Sequence, residues 1–227
     1  MLRLRLLLLL SLLSASTLGC FSYATMHTAE SIEGGTSEVS FGGGVLGGLN
    51  GVDGEDRMDN SRIGHLGARH GLNDRLDLGL RLNGMGLVAD LNVALVESAH
   101  FAFSLDPEVA MVFQKTPYKG TLQTPRAAHH LAGNLNILAD IVKTKFVDVT
   151  LGISPGYMYA TDTNFVGRTG PTLGGGLGLR WEIPTGDSPF MKPILTPAID
   201  VMFPLNEEDL ARPTFGYTAI FGLTARL

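Results

Sequence analysis

The chain has 227 residues, a formal net charge of −5 and only 17% charged residues. A nucleic-acid surface needs a basic patch, so this balance argues against one; the charge content also falls below the roughly 25% of ordinary soluble domains. The 29 glycines follow no G-X-Y period and lie mostly inside strand-like runs, which excludes a collagen-like chain.

The chain opens MLRLRLLLLLSLLSASTLGC. Arg3 and Arg5 form a short basic region, Leu6 to Leu13 an apolar run, and small residues follow. That is the order of a secretory signal peptide, and the run is too short for a spanning helix. The segment ends on Thr17-Leu18-Gly19-Cys20, and Cys20 is the only cysteine. A lone cysteine in an exported chain cannot form an internal disulfide and asks for another role. These residues resemble a bacterial lipoprotein lipobox. The resemblance implies removal of residues 1–19, lipidation of Cys20 and, with Phe21 rather than Asp behind it, sorting to the outer membrane. Ordinary cleavage after Ala24 is the alternative. Residues 20–35 are polar and read as a lipidated linker behind the anchor.

From residue 36 onward the chain alternates. In LDLGLRLNGMGLVADLNVAL, Leu76, Leu78, Leu80 and Leu82 alternate with Asp77, Gly79, Arg81 and Asn83. After Asn83-Gly84, Leu87, Ala89, Leu91, Val93 and Leu95 oppose Asp90 and Asn92. A period of two means a strand with one apolar and one polar face. Ten such runs follow one another: 36–49, 61–72, 75–83, 85–97, 100–114, 127–141, 145–161, 170–184, 190–204 and 214–227. Eight is the alternative count.

The connections after the first, fifth, seventh and ninth runs read as longer loops. Those after the second, fourth, sixth and eighth read as tight turns, Asn73-Asp74, Ser98-Ala99, Val142-Lys143-Thr144 and Thr185 to Pro189; the third, Asn83-Gly84, is short where this scheme wants a long one. Short turns at one end and longer loops at the other are the plan of an outer-membrane barrel, and an even count brings both termini to the short-turn side.

The polar faces carry Gly, Thr, Ser, Asn, Asp and Arg, with little lysine. In the eighth run Thr172, Gly174, Gly176, Gly178, Arg180 and Glu182 oppose Leu173, Leu177, Leu179, Trp181 and Ile183. Small residues with a few opposed charges suit a cramped polar lumen, and large aliphatics suit lipid. Tyr157, Tyr159, Trp181 and Tyr217 lie near expected strand ends, where interfacial girdles belong. The C-terminal strand offers Gly222, Ala225 and Leu227, which resemble the outer-membrane assembly signal and imply recognition by the barrel-assembly machinery. Over most of its length the chain resembles a small outer-membrane β-barrel protein of Gram-negative type.

Asp77, Arg81, Asp90, Asp106, Glu108, Asp148, Arg180, Glu182, Asp200 and Arg226 fall on the expected inner face. Charges in a confined interior must be paired, so they read as a lumen network, either a structural plug or a charged constriction. His129 and His130 are adjacent and point to opposite faces, as do His65 and His70, so no metal site is expected. The stretch GVDGEDRMDN offers Asp53, Glu55, Asp56 and Asp59 but lacks the EF-hand pattern and reads as a solvated loop. No G-x-S-x-G elbow and no phosphate loop is present; no enzyme and no cofactor is expected.

The expected fold is all-β, an antiparallel transmembrane up-and-down barrel over residues 36–227, lipid-anchored on the periplasmic side of a bacterial outer membrane. Its partners would be outer-membrane lipid and the assembly machinery, with no nucleic acid. Its role would be structural, a narrow porin-like pore, or display of surface loops for binding. The alternatives are a soluble periplasmic lipocalin-like barrel with its apolar faces turned onto a ligand and an outer-membrane barrel enzyme.

Overall fold

The computed structural model describes residues 28–52, 55–83, 86–115, 127–160, 170–183, 192–205 and 216–227. The side chains of 46–61, 83, 112–115, 127–130, 160, 192–193, 200–204 and 216–217 lie outside that description. The signal segment, Cys20 and Asp53 lie outside it as well.

The alternating runs form β1 (Ser37–Val52), β2 (Glu55–Asn73), β3 (Leu76–Asn83), β4 (Gly86–Glu97), β5 (Ala102–Lys115), β6 (Ala127–Lys143), β7 (Val147–Ala160), β8 (Gly170–Glu182), β9 (Lys192–Pro204) and β10 (Gly216–Arg226). Each pairs antiparallel with its chain neighbour, and β1 pairs with β10, so the ten strands close into a barrel with no free edge. Closure gives each strand a partner on both sides within the ring, which is the condition for crossing a lipid bilayer. At the seam the Ser37 N–H donates to the Leu227 carbonyl at 3.4 Å and the Leu227 N–H to the Ser37 carbonyl at 2.8 Å. Both ends of the barrel chain therefore stand together at the short-turn end.

Three described short turns close by the same chemistry. The Ser98 hydroxyl accepts the Phe101 N–H at 3.1 Å. The Thr144 hydroxyl accepts the Val147 N–H at 2.9 Å, and the Asn73 side-chain oxygen accepts the Arg75 N–H at 2.9 Å. Short polar side chains that bond their own backbone a few residues on are what make Ser, Thr and Asn turn residues.

The side-chain alternation has a definite sense. Leu78 and Leu80 are 52% and 53% exposed, whereas Asp77 and Arg81 between and beside them are 1% and 4% exposed. Phe41, Leu87, Val109, Leu131, Leu151, Ile153, Leu177, Trp181 and Phe221 also face outward. Asp90, Asn92, Asp106, Glu108, Asn136 and Thr150 face inward and are buried. An outer apolar band around a polar interior is the outer-membrane arrangement. A lipocalin-like barrel requires the reverse, and the structure does not adopt it.

Two expectations change. Asn50 to Asn60 was expected as a long connection, but β1 and β2 remain paired up to Val52 opposite Glu55. Glu55, Asp56 and Asp59 therefore belong to β2 and not to a loop. Antiparallel pairing tolerates polar residues on both faces where strands run beyond the apolar band, so a charged composition does not by itself end a strand. The second change concerns residues 28–35, expected as a linker. Ala29 and Ile32 are 0% and 5% exposed, because this segment turns into the barrel mouth where its backbone finds carboxylate partners.

Candidate functional site

The barrel interior is the site. On the β2–β6 side, inward positions of neighbouring strands lie level with one another: Asp90 opposite Glu108, Glu108 opposite Asn134, and Asp106 opposite Asn136. This register assembles a belt of charges. The Arg69 guanidinium donates to Asp77 Oδ1 from Nε at 2.7 Å and also stands 2.7 Å from Asp90 Oδ1 through Nη2. Arg81 takes the other oxygen of Asp90, Nε to Oδ2 at 3.1 Å, and reaches Glu108 through Nη2. Asn134 donates to Glu108 Oε1 at 3.3 Å, and Asn136 to Asp106 Oδ2 at 3.0 Å. Asn92 donates to Asp77 Oδ2 at 3.2 Å.

The composition of the belt follows from hydrogen-bond supply. Ionised carboxylates only accept, and arginine only donates. Asp77, Asp90, Asp106 and Glu108 outnumber Arg69 and Arg81, so the remaining donors come from neutral carboxamides on Asn92, Asn134 and Asn136. Such an enclosed network is costly to desolvate and tolerable only when its members are satisfied together.

A second cluster straddles the β1–β10 seam near the short-turn end, beside the belt, with Glu38 opposite Arg69 on one side and Arg226 on the other. Glu38 of β1 accepts from Arg180 Nη2 at 3.0 Å and from Arg226 Nη2 at 2.8 Å. Glu182 stands 3.4 Å from Arg180 and 3.9 Å from Arg226. Asp148 is buried and pairs with Arg180 across the β7–β8 ladder. For Asp200 only the backbone is described, opposite Gly176 and Thr218.

The ten inner charges read from the sequence therefore pair directly in two groups, which adjoin where Glu38 stands opposite Arg69. Asp77, Arg81, Asp90, Asp106 and Glu108 share the belt, while Arg180, Glu182 and Arg226 form the second cluster. Sequence reasoning missed Arg69 and Glu38, the charges around which each group is organised. It also missed Asn92, Asn134, Asn136, Asp140 and Lys143 as network members. Arg69 has the parity of His65 and Gly67, both inward and buried, and Asp140 that of Asn134 and Asn136, so alternation alone could have found them. On the same wall Ser40 and His65 hydrogen-bond at 2.9 Å between Oγ and Nε2, while His70 faces outward and meets Ser37 at 2.9 Å.

Above the belt, toward the end away from the termini, Val88, Ala110 and Ala132 form a buried apolar layer. Below it Ala102 and Leu138 pack on Ala29. On the β2–β6 side the belt is thus held between two apolar layers that keep water from its ion pairs. Gly222 and Ala225 are buried on β10, and Leu227 ends the described chain with its side chain exposed.

No protein-family model and no curated protein sequence matches the chain. Among solved structures it is similar to the attachment invasion locus protein Ail of Yersinia pestis, at 13% identity and a TM-score of 0.32 over 86% of this chain and 99% of that one. It is similar to the outer membrane protease OmpT from Escherichia coli, at 7% identity and a TM-score of 0.45 over 88% and 100%. The outer membrane protein OprG from Pseudomonas aeruginosa matches at 10% identity and a TM-score of 0.33 over 88% and 99%. Likenesses of this strength carry no functional weight. The barrel assignment rests on strand order and on the direction of the side chains.

Proposed function

We propose that this chain is an outer-membrane β-barrel that acts as a cross-braced support for its surface connections and not as an open pore. The observation that carries the reading is the belt running from Arg69 and Asp77 through Asp90, Arg81 and Glu108 to Asn134. Its side chains are buried against one another inside the ring. A conducting constriction needs charges facing water, whereas these face partners. The longer connections, 116–126, 161–169 and 206–215, leave the strands at the end away from both termini, which would be the outer surface if Cys20 is acylated in the periplasm. The same reading takes Cys20 as the lipid-bearing residue and the Gly222, Ala225 and Leu227 strand as what the assembly machinery recognises.

The deciding experiment is planar-bilayer recording of the purified protein, after an SDS gel shows an unboiled sample migrating apart from a boiled one. The expected result is a heat-modifiable protein with no steady conductance above the lipid control. A reproducible open level from the heat-modifiable species would sink the reading and favour a narrow cation-preferring pore, since carboxylates outnumber arginines in the belt. Metabolic labelling with a radioactive fatty acid, compared with Cys20→Ser, tests the anchor separately.

A further inference from the structure

The short-turn mouth is crossed by residues that belong to no strand. Thr28 to Thr36 enters beside β1 and reaches β6, which stands opposite β1 in the ring. Little of its attachment is sheet pairing. The two oxygens of Asp140 accept the consecutive N–H groups of Ala29 and Glu30 at 3.0 and 3.2 Å. Asp77 Oδ2 accepts the Ile32 N–H at 3.1 Å, and the Asn92 carboxamide donates to the Glu30 carbonyl at 3.5 Å. Lys143 meets the Glu30 carboxylate at 3.1 Å. The Ala29 side chain packs with Ala102 and Leu138.

The wall is shaped for this occupant. Gly71 has no side chain where a Cβ would run into the carbonyls of Ile32 and Glu33. Its backbone clasps the segment, the Gly35 N–H donating to the Gly71 carbonyl at 2.8 Å and the Gly71 N–H to the Thr36 carbonyl at 3.0 Å. Register shifts interrupt the ladders at Gly71/Asn73, Ala94/Val96 and Asp140/Val142, all near the short-turn end. A β-bulge re-aims side chains and ends pairing; those at Gly71 and Asp140 border residues that hold the segment.

The two partners are structurally separate. The ring closes between Ser37 and Leu227 without residues 28–36. The join between them is the exposed turn Glu33-Gly34-Gly35, where Gly35 has φ +81°, a left-handed conformation that glycine adopts without strain.

We infer that the short-turn mouth is a binding site for an extended peptide, and that the chain fills it in cis with its own residues 28–33 as a separable stopper. Recognition is by backbone: Asp140 reads two consecutive N–H groups, Asp77 reads a third, a small apolar pocket takes the Ala29 methyl and Lys143 takes the acidic side chain after it. Asp77 belongs both to this site and to the belt, so the occupied mouth and the belt share one carboxylate. The inference needs only the barrel fold and is independent of whether the lumen conducts.

The experiment keeps the full chain and installs a protease site in the exposed turn at Glu33-Gly34-Gly35, cut after folding in detergent. The cut fragment should stay with the barrel through gel filtration. An excess of a synthetic peptide with the sequence of residues 28–33 should release it saturably. The same peptide carrying Ala29→Glu should compete at least about tenfold less well, since it forces a carboxylate into the apolar pocket; this comparison leaves the barrel unaltered. In a heat-modifiable Asp140→Asn barrel the peptide should also bind about tenfold or more weakly, for loss of hydrogen bonds to a charged acceptor. Immediate loss of the fragment from a heat-modifiable barrel with no saturable rebinding would overturn the inference. So would equal competition by the Ala29→Glu peptide. Conductance appearing or not appearing on release bears only on the closed-lumen reading.

Discussion

The two walls of the lumen solve the same packing problem in opposite ways. On β3 to β6 the inward positions carry Asp77, Arg81, Asp90, Asn92, Asp106, Glu108, Asn134, Asn136 and Asp140, all buried. On β7 and β8 the mid-strand inward positions are Gly152, Ser154, Gly156, Gly174, Gly176 and Gly178, half-buried, and the charges Asp148, Arg180 and Glu182 stand only toward the short-turn end. Gly152 lies opposite Gly176 and Ser154 opposite Gly174. A ten-stranded ring has too little interior for large side chains at every inward position. One arc therefore supplies long polar groups and the other supplies room.

The same rule operates between neighbours. A Cβ on Gly79 would run into the Asp90 carboxylate, one on Gly156 into the Asn134 side-chain oxygen, and one on Gly152 would come within 3.0 Å of Leu138 Cδ2. Each of these glycines stands across a ladder from the residue it accommodates. These three glycines are thus the complement of the larger side chains that stand across from them.

The contrast can be broken most severely from the charged arc. Arg81→Met strips Asp90 and Glu108 of a shared partner. Leaving buried carboxylates uncompensated costs about 3–5 kcal/mol, readable as a lowered urea midpoint in lipid vesicles. Trp181, the only tryptophan, faces outward and serves as the fluorescence probe. A loss below about 1 kcal/mol would mean that the belt is wet and that the closed-lumen reading fails. Next in size is the outer face: Leu177→Arg, mid-strand on β8, should cost about 2–4 kcal/mol if the band lies in the bilayer. An unchanged midpoint in the same vesicles would place that face in water.

Smaller effects sharpen the division of labour. Gly79→Ala pushes directly on Asp90 and should cost about 1–3 kcal/mol, as overpacking does. Gly178→Ala, on the roomy arc, where a Cβ would come no nearer than 3.9 Å to Thr150, should change stability by no more than about 0.5 kcal/mol, as substitutions away from tight contacts do. Equal costs at the two glycines, measured by the same unfolding assay, would show that the arcs are packed alike and would remove the distinction between them.

Much of this was legible along the chain because a strand's period is local. The alternation in LDLGLRLNGMGLVADLNVAL placed Asp77, Arg81 and Asp90 on one face and Leu78, Leu80 and Leu87 on the other, and ten runs of this kind match ten strands. The β1–β2 connection was misread because the stretch from Asp53 to Asp59 has loop composition, and strand length there depends on the partner strand. Which charges touch was beyond reach for a similar reason. Arg69 binds Asp77 and Asp90 only once the β2–β3 and β3–β4 registers set their heights. Arg180 and Arg226 converge on Glu38 only because β1 closes on β10.

The sequence by itself determined the strand count, the two faces of each strand and the short turns, because turn chemistry and side-chain alternation act over a few residues. Alternation together with the composition of the polar faces also pointed the apolar faces outward; the tertiary structure alone decided which inner charges pair with which, and that residues 28–36 fold back into the mouth. Those features depend on closure of the ring, which brings β1 beside β10 and β6 opposite β1, and no local pattern encodes that distance.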